Sequence, residues 1–360
     1  MQKPIVGISI GDPNGIGPEV VAKTLQNEFI YQYCTPIVYG NIKIFNHIKK
    51  LCFLEHLHIH QIKNINEVKY GKLNFIHCGN DNFEATLGSA SKEAGKESLN
   101  YIDRMLEDVK QNKLPIIVTA PVDKNSIALN QASFTGHTGY LANNLSVQNH
   151  LMILYNEGLR VGLVTEHLPI TKLAESITSQ AIISKAKVFI QTLQNEFSIV
   201  KPKLAILGLN PHAGDGGALG NEEIKIIKPA IESILNQTNA VVLGPYSADG
   251  FFGSGNMKKF DGVLAMYHDQ GLAPFKALAF DDGVNFTAGL PIIRTSPDHG
   301  TAYDIASNLV ASPYSFSNAL FEALKLYTNR TENKEMKDNF LPFMEHKKER
   351  FRLETRDLPQ

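Results

Sequence analysis

No excess of either charge marks this 360-residue chain: Lys and Arg number 35, Asp and Glu 36, for a formal net charge of -1. A nucleic-acid-binding chain usually carries a basic surplus, so the balance argues against that class and leaves room only for a local basic pocket. Cysteine is scarce. Cys34, Cys52 and Cys78 are scattered without a CxxC pair, which excludes a disulfide scaffold and argues against a thiolate zinc site. Free thiols fit a reducing compartment, so a cytoplasmic protein is expected. No apolar stretch nears the ~20 residues of a spanning helix. The run before Asp12 is too short for a signal peptide. Neither a membrane nor a nucleic acid is expected as a partner. The nucleotide fingerprints GxGxxG and GxxxxGK[ST] are also missing, as are internal repeats and low-complexity linkers.

What is present is alternation. Apolar runs at 5–10, 36–39, 115–119, 151–155, 161–164, 204–207 and 241–243 read as strands covered on both faces, the mark of a parallel sheet between helices. Helical patterns lie between them, clearest from Ser89 to Gln111, where Leu99, Ile102, Met105, Leu106 and Val109 form one stripe. Segments 184–196 and 222–235 read as helices too. An α/β layered fold is therefore expected. At ~150 residues per domain, the length gives about two domains.

Three glycine-rich turns follow strands: 11–19, 210–220 and 244–252. In a parallel sheet all three would gather at one edge, where such folds bind small molecules. Five of the twelve histidines sit in similar contexts. His137 lies in FTGHTG, His167 ends VTEHLP, His212 sits in the second glycine cluster, His268 lies in MYHDQG and His299 in DHGTA. Neutral imidazole is a common ligand of divalent transition metals, and three imidazoles leave open positions for a substrate. Spacing alone cannot bring such distant segments together, so loop or core histidines remain the competing reading.

The segments GDPNGIGPE, TAPVDKNSI with FTGHTGYLA, VTEHLPI, GLNPHAGDGGALGNEE, GPYSADGFF and YHDQGLAPFK through GVNFTAGLPIIRTSPDHGTAYDIA together resemble the 4-hydroxythreonine-4-phosphate dehydrogenase family of pyridoxal phosphate biosynthesis. The likeness runs in order from Gly11 to about Ala306. It implies two α/β/α domains with a cleft between them, isopropylmalate- and isocitrate-dehydrogenase-like and not a Rossmann fold. It also implies a homodimer whose active site lies at the subunit interface. The expected boundaries are 1–130 plus about 300–330 for the first domain, 131–299 for the second, which carries the dimer interface, and 331–360 for a charged tail. In that tail region 15 of the 31 residues from Arg330 onward are charged.

The resemblance further implies NAD-dependent oxidation of 4-phosphooxy-L-threonine at C3, with NADP as the other candidate, followed by decarboxylation to 3-amino-2-oxopropyl phosphate. One divalent ion, zinc, cobalt or magnesium, would be held by His167, His212 and His268, with His167 coming from the partner subunit. Substrate contacts would be His137, Thr138, Lys276, Asn285 and Arg294. The DHGTA loop, with His299, Gly300 and Asp304, would meet the cofactor. Lys276, Asp249 and Asp269 are the acid–base candidates. Two other readings compete: a relative acting on 4-phospho-D-threonate or 4-phospho-D-erythronate, and an inactive protein that binds a phosphorylated metabolite.

Overall fold

All seven apolar runs become strands in the computed structural model, which describes residues 3–134, 136–279 and 282–340. Twelve strands form one sheet: β1 (Ile5–Ser9), β2 (Thr35–Gly40), β3 (His60–Ile62), β4 (Asn74–His77), β5 (Ile116–Thr119), β6 (Leu151–Tyr155), β7 (Arg160–Leu163), β8 (Lys203–Leu207), β9 (Val241–Tyr246), β10 (Gly262–Ala265), β11 (Val284–Ala288) and β12 (Ile293–Pro297). Their order is β3-β4-β2-β1-β5-β12-β11-β6-β7-β10-β8-β9.

The expectation of a parallel sheet needs correction at its centre. β3, β4, β2, β1, β5 and β12 form one parallel block, and β7, β10, β8 and β9 another. Between them, β12–β11, β11–β6 and β6–β7 pair antiparallel. Three successive reversals invert the second block. The loop after β1 therefore emerges at one edge of the sheet, and those after β8 and β9 at the other, not all together. The apolar run of β6 could not report this, because burial on both faces looks alike in either direction.

Eight helices of eight residues or more cover the sheet among the described residues: α1 (Gly17–Leu25), α2 (Ile42–Leu51), α3 (Lys92–Lys110), α4 (His137–Asn144), α5 (Ser179–Asn195), α6 (Lys228–Gln237), α7 (His268–Leu278) and α8 (Tyr314–Asp338). α3 follows its stripe closely. Ser91 caps it by accepting from the Ala94 N–H at 3.1 Å, Glu93 sits at its positive end, and Ile102, Met105, Leu106 and Val109 are buried. One face of the sheet carries a continuous apolar layer, with Leu25 of α1, Phe189 of α5, Ile234 of α6 and Leu320 of α8 packed on it. The opposite face is divided. Ile102 and Met105 of α3 and Leu141 of α4 cover the first block, while Leu272 and Phe275 of α7 cover the second. The gap between these two layers is the cleft.

α8 packs across β12, β11 and β5 and touches α1 and α5, so it ties the two blocks together from behind. The charged segment expected as a tail begins inside α8, and its remainder, 341–360, lies outside the described residues. Among the described residues no helix is long and apolar enough to cross a membrane. The first glycine turn is a packing device. A Cβ at Gly17 would lie 2.2 Å from the Ile10 carbonyl, and Asp12 donates its N–H to Pro121 O at 2.8 Å.

Candidate active site

A cavity of about 620 Å³ opens in the gap on the divided face. Its floor is set by register. Asn285 on β11 pairs with Ser296 on β12 and with Leu154 on β6, so all three share the face that no helix covers. Arg294, two residues from Ser296, points the same way.

Arg294 is 2% exposed. Its Nη2 donates to Thr119 Oγ1 at 2.7 Å and its Nη1 to Thr287 Oγ1 at 3.1 Å, while Nε has no partner. Among the described residues no carboxylate lies within 4.0 Å of it. Burial alone pulls its pKa down to about 9, so it remains a cation at neutral pH. A buried guanidinium without a counter-ion is costly unless an anion completes it. Around it, His137 Nε2 and Asn285 Oδ1 are buried and unpartnered, and Thr138 Oγ1 meets Thr287 Oγ1 at 3.2 Å. Burial, with Arg294 and Lys124 nearby, holds His137 well below its usual range, so it enters the cavity neutral. Lys276 reaches Asp298 at 3.5 Å on the rim. His299 and Gly300 line the same rim, with His299 Nδ1 turned to its neighbour's carbonyl and Nε2 free.

His167 and His268 line the same cavity, with ring centroids 5.6 Å apart. The carboxylate of Asp269 can only accept, so His268 Nδ1 carries the proton shared with it at 2.7 Å, and Nε2 keeps its lone pair. His167 Nε2 accepts from Lys124 Nζ at 3.1 Å. Burial, then Lys124 and His268, lowers the His167 pKa. Imidazole is a donor that fits a divalent cation, and the Lys124 hydrogen bond holds the His167 Nε2 lone pair that a cation would take.

The third expected ligand is elsewhere. His212 is exposed on the loop after β8, beside Asp249, whose pKa is lowered first by the Ser247 hydroxyl and also by His212. Among the described residues no three His, Cys, Asp or Glu side chains gather around one point. Within one chain His167 stands beside His268, while His212 lies apart from both. Of the acid–base candidates, Lys276 lines the cavity. Asp269 acts behind His268, and Asp249 lies with His212 outside the lining. Asp304 is exposed and does not line the cavity.

A family profile described as pyridoxal phosphate biosynthetic protein PdxA matches residues 32–323. The chain belongs to the PdxA family. It is 44% identical over 335 residues to a 4-hydroxythreonine-4-phosphate dehydrogenase of Bacteroides thetaiotaomicron, covering 93% of this chain and 92% of that one. It is 36% identical over 327 residues to a Clostridium botulinum protein provisionally named D-threonate 4-phosphate dehydrogenase, covering 90% and 97%. The crystal structure of a 4-hydroxythreonine-4-phosphate dehydrogenase from Klebsiella pneumoniae matches with a TM-score of 0.78 and 31% identity, over 90% of this chain and 99% of that one.

This PdxA-family cavity also contains groups that the motifs left unmarked: Lys124, His150, Glu166 and Lys185. Two of them had a signal. Lys124 follows the end of β5 and Glu166 directly precedes His167, both within segments that carry the family likeness. Lys185 and His150 had none, one being a lysine on a helix and the other a histidine ahead of a strand.

Proposed function

We infer that this cavity oxidises 4-phosphooxy-L-threonine at C3 with NAD, giving 2-amino-3-oxo-4-phosphooxybutanoate, which loses CO2 to form 3-amino-2-oxopropyl phosphate. The observation that carries this reading is that the buried Arg294, with no carboxylate within 4.0 Å among the described residues, lines the same cavity as the His167–His268 pair. The guanidinium can fork two oxygens of a phosphate or carboxylate, and His137, Thr138 and Asn285 supply neutral hydrogen bonds beside it. Lys276, 3.5 Å from Asp298, is the cavity group we assign to return a proton to carbon when CO2 leaves. His167 and His268, joined by His212 of a second copy, would hold a divalent cation, zinc, cobalt or magnesium. When bound it supplies Lewis acidity at the hydroxyl and at the ketone that follows. A homodimer is therefore part of the reading. The rim at His299 and Gly300 is the place for NAD or NADP, since it borders the cavity without closing it. The free thiols Cys34, Cys52 and Cys78 suit a cytoplasmic setting.

The test is NADH formation with 4-phosphooxy-L-threonine, 4-phospho-D-threonate and 4-phospho-D-erythronate, each with zinc, cobalt or magnesium. Turnover of the first compound above the others supports the reading. Turnover of the threonate or erythronate alone transfers the chain to the other substrate class, and no turnover of any leaves a binding protein.

A further inference from the structure

Glu166 is the acid in this cavity without an ion-pair partner among the described residues. Four cationic side chains line the space, Lys124, Lys185, Lys276 and Arg294, against two carboxylates, Glu166 and Asp298. Asp298 is taken by Lys276 at 3.5 Å. Glu166 forms no ion pair within 4.0 Å among the described residues; burial raises its pKa, and Lys185, Lys124 and His268 oppose that rise. The two neighbouring lysines are engaged elsewhere: Lys185 Nζ donates to His150 O at 2.5 Å, and Lys124 Nζ to His167 Nε2.

Such a carboxylate opposes the work of the cavity. A substrate carrying a phosphate and a carboxylate is drawn in by the cations and repelled by a free acid. The repulsion becomes attraction when the substrate brings a cation of its own to that spot. Glu166 immediately precedes His167 and lines the same cavity as His268, the pair read above as holding the cation at the oxidised hydroxyl. The carbon beside that hydroxyl carries the substituent in which the two substrate classes differ. In an amino acid that substituent is an ammonium; in a threonate or erythronate it is a hydroxyl.

We propose that Glu166 is a specificity-determining residue, pairing with the C2 ammonium of a phosphorylated amino acid and disfavouring phosphorylated sugar acids that lack it. This rests on the reading of the cavity given above and narrows its substrate class. The pairing uses the negative charge, not the shape of the side chain, so Glu166→Gln separates the two. The amide keeps the size and shape of the side chain, and the variant should fold as the parent does.

The experiment compares the metal-loaded parent, Glu166→Gln and Glu166→Asp with 4-phosphooxy-L-threonine and 4-phospho-D-threonate. It reads kcat/KM by NADH formation and Kd by calorimetry without NAD. In Glu166→Gln, the preference for the amino compound should fall on the order of 10- to 100-fold in both readouts, with the amino compound losing and the threonate gaining. Glu166→Asp, which keeps the charge, should restore part of the preference. Equal losses for both compounds, or an unchanged ratio in Kd, would overturn the proposal. If the parent turns over neither compound, the functional reading itself falls, and this one falls with it.

Discussion

The rings of His167 and His268, tilted 44° to each other, are brought together by a single register: Leu163 on β7 pairs with Ala265 on β10, and each histidine follows its strand by three or four residues. Parallel neighbours end at the same edge, so two loops far apart in sequence deliver adjacent imidazoles. His212 follows β8, the next strand, yet its loop carries it away from the pair and leaves it exposed.

That geometry predicts how inactive subunits complement. If His212 comes from a second copy, mixing His167→Ala with His212→Ala chains leaves one intact site in each heterodimer, and a random one-to-one mixture should recover about a quarter of parental activity. Mixing His167→Ala with His268→Ala should recover none, because each site then lacks one member of the pair. Metal content of the two mixtures by elemental analysis should follow the same pattern. Rescue in the second mixture would place His167 and His268 on different chains and end this assignment.

Arg294 separates stability from function. It is buried with two hydroxyls and, among the described residues, no carboxylate within 4.0 Å, so the empty protein bears the cost of a poorly compensated cation. Arg294→Met should leave thermal stability unchanged or raise it, by up to about 1–4 kcal/mol. The same change should raise KM for the phosphorylated substrate by about 100-fold or more. A variant that melts early while still binding substrate normally would show that Arg294 holds the sheet and not the anion.

Much of this site was legible before the fold was known, and the reason is local. The strand ends, the glycine turns and the histidines that follow them are short-range patterns, and β-strand burial writes itself into runs such as 204–207. Direction was not legible. Nothing in LMILY distinguishes an antiparallel β6 from a parallel one, and β11, whose Asn285 and Thr287 form the floor, lacks a long apolar run. Burial of charge was equally hidden. Arg294 looks like any arginine in GLPIIRTSP until β11 and α4 close over it, and Glu166 and Lys185 become cavity residues only because β7 and α5 face the same gap.

Acid should destabilise the metal-free protein through His137. Burial, with Arg294 and Lys124 beside it, keeps its folded pKa well below the ordinary 6.5, and burial also lowers His150, His167 and His299. Below about pH 6.5 the unfolded chain binds a proton at each of these positions that the folded protein refuses. Stability therefore falls as pH drops from about 6.5, and above about pH 7 these groups contribute nothing. One such group is worth up to about 1.4 kcal/mol per pH unit. Urea unfolding at several pH values between about 5 and 7.5 should show this slope, and His137→Gln should reduce it by about one proton. An identical slope in the variant would mean that His137 is protonated in the folded protein.

The loop that presents His212 is held by Glu223. Backbone φ is positive from His212 through Gly217, including His212 (53°), Ala213 (50°) and Asp215 (43°), a conformation costing L-residues roughly 1–2 kcal/mol each. Glu223 offsets it from beneath, accepting from Leu209 N at 2.8 Å, Asn210 N at 2.7 Å and Asn210 Nδ2 at 3.0 Å. These donors outweigh burial and hold its carboxyl below the usual range. Gly214 is required above it, since a Cβ there would lie 2.6 Å from Glu223 Oε2. Glu223→Ala should release the turn and weaken zinc binding by about 10- to 100-fold in calorimetric titration. Lower stability alone would not distinguish this from general damage, so the decisive measurement is a double-mutant cycle. In a His212→Ala background, Glu223→Ala should cost no further zinc affinity, because the residue it positions is already gone. An additive loss would mean that Glu223 acts on the metal by a route that does not pass through His212.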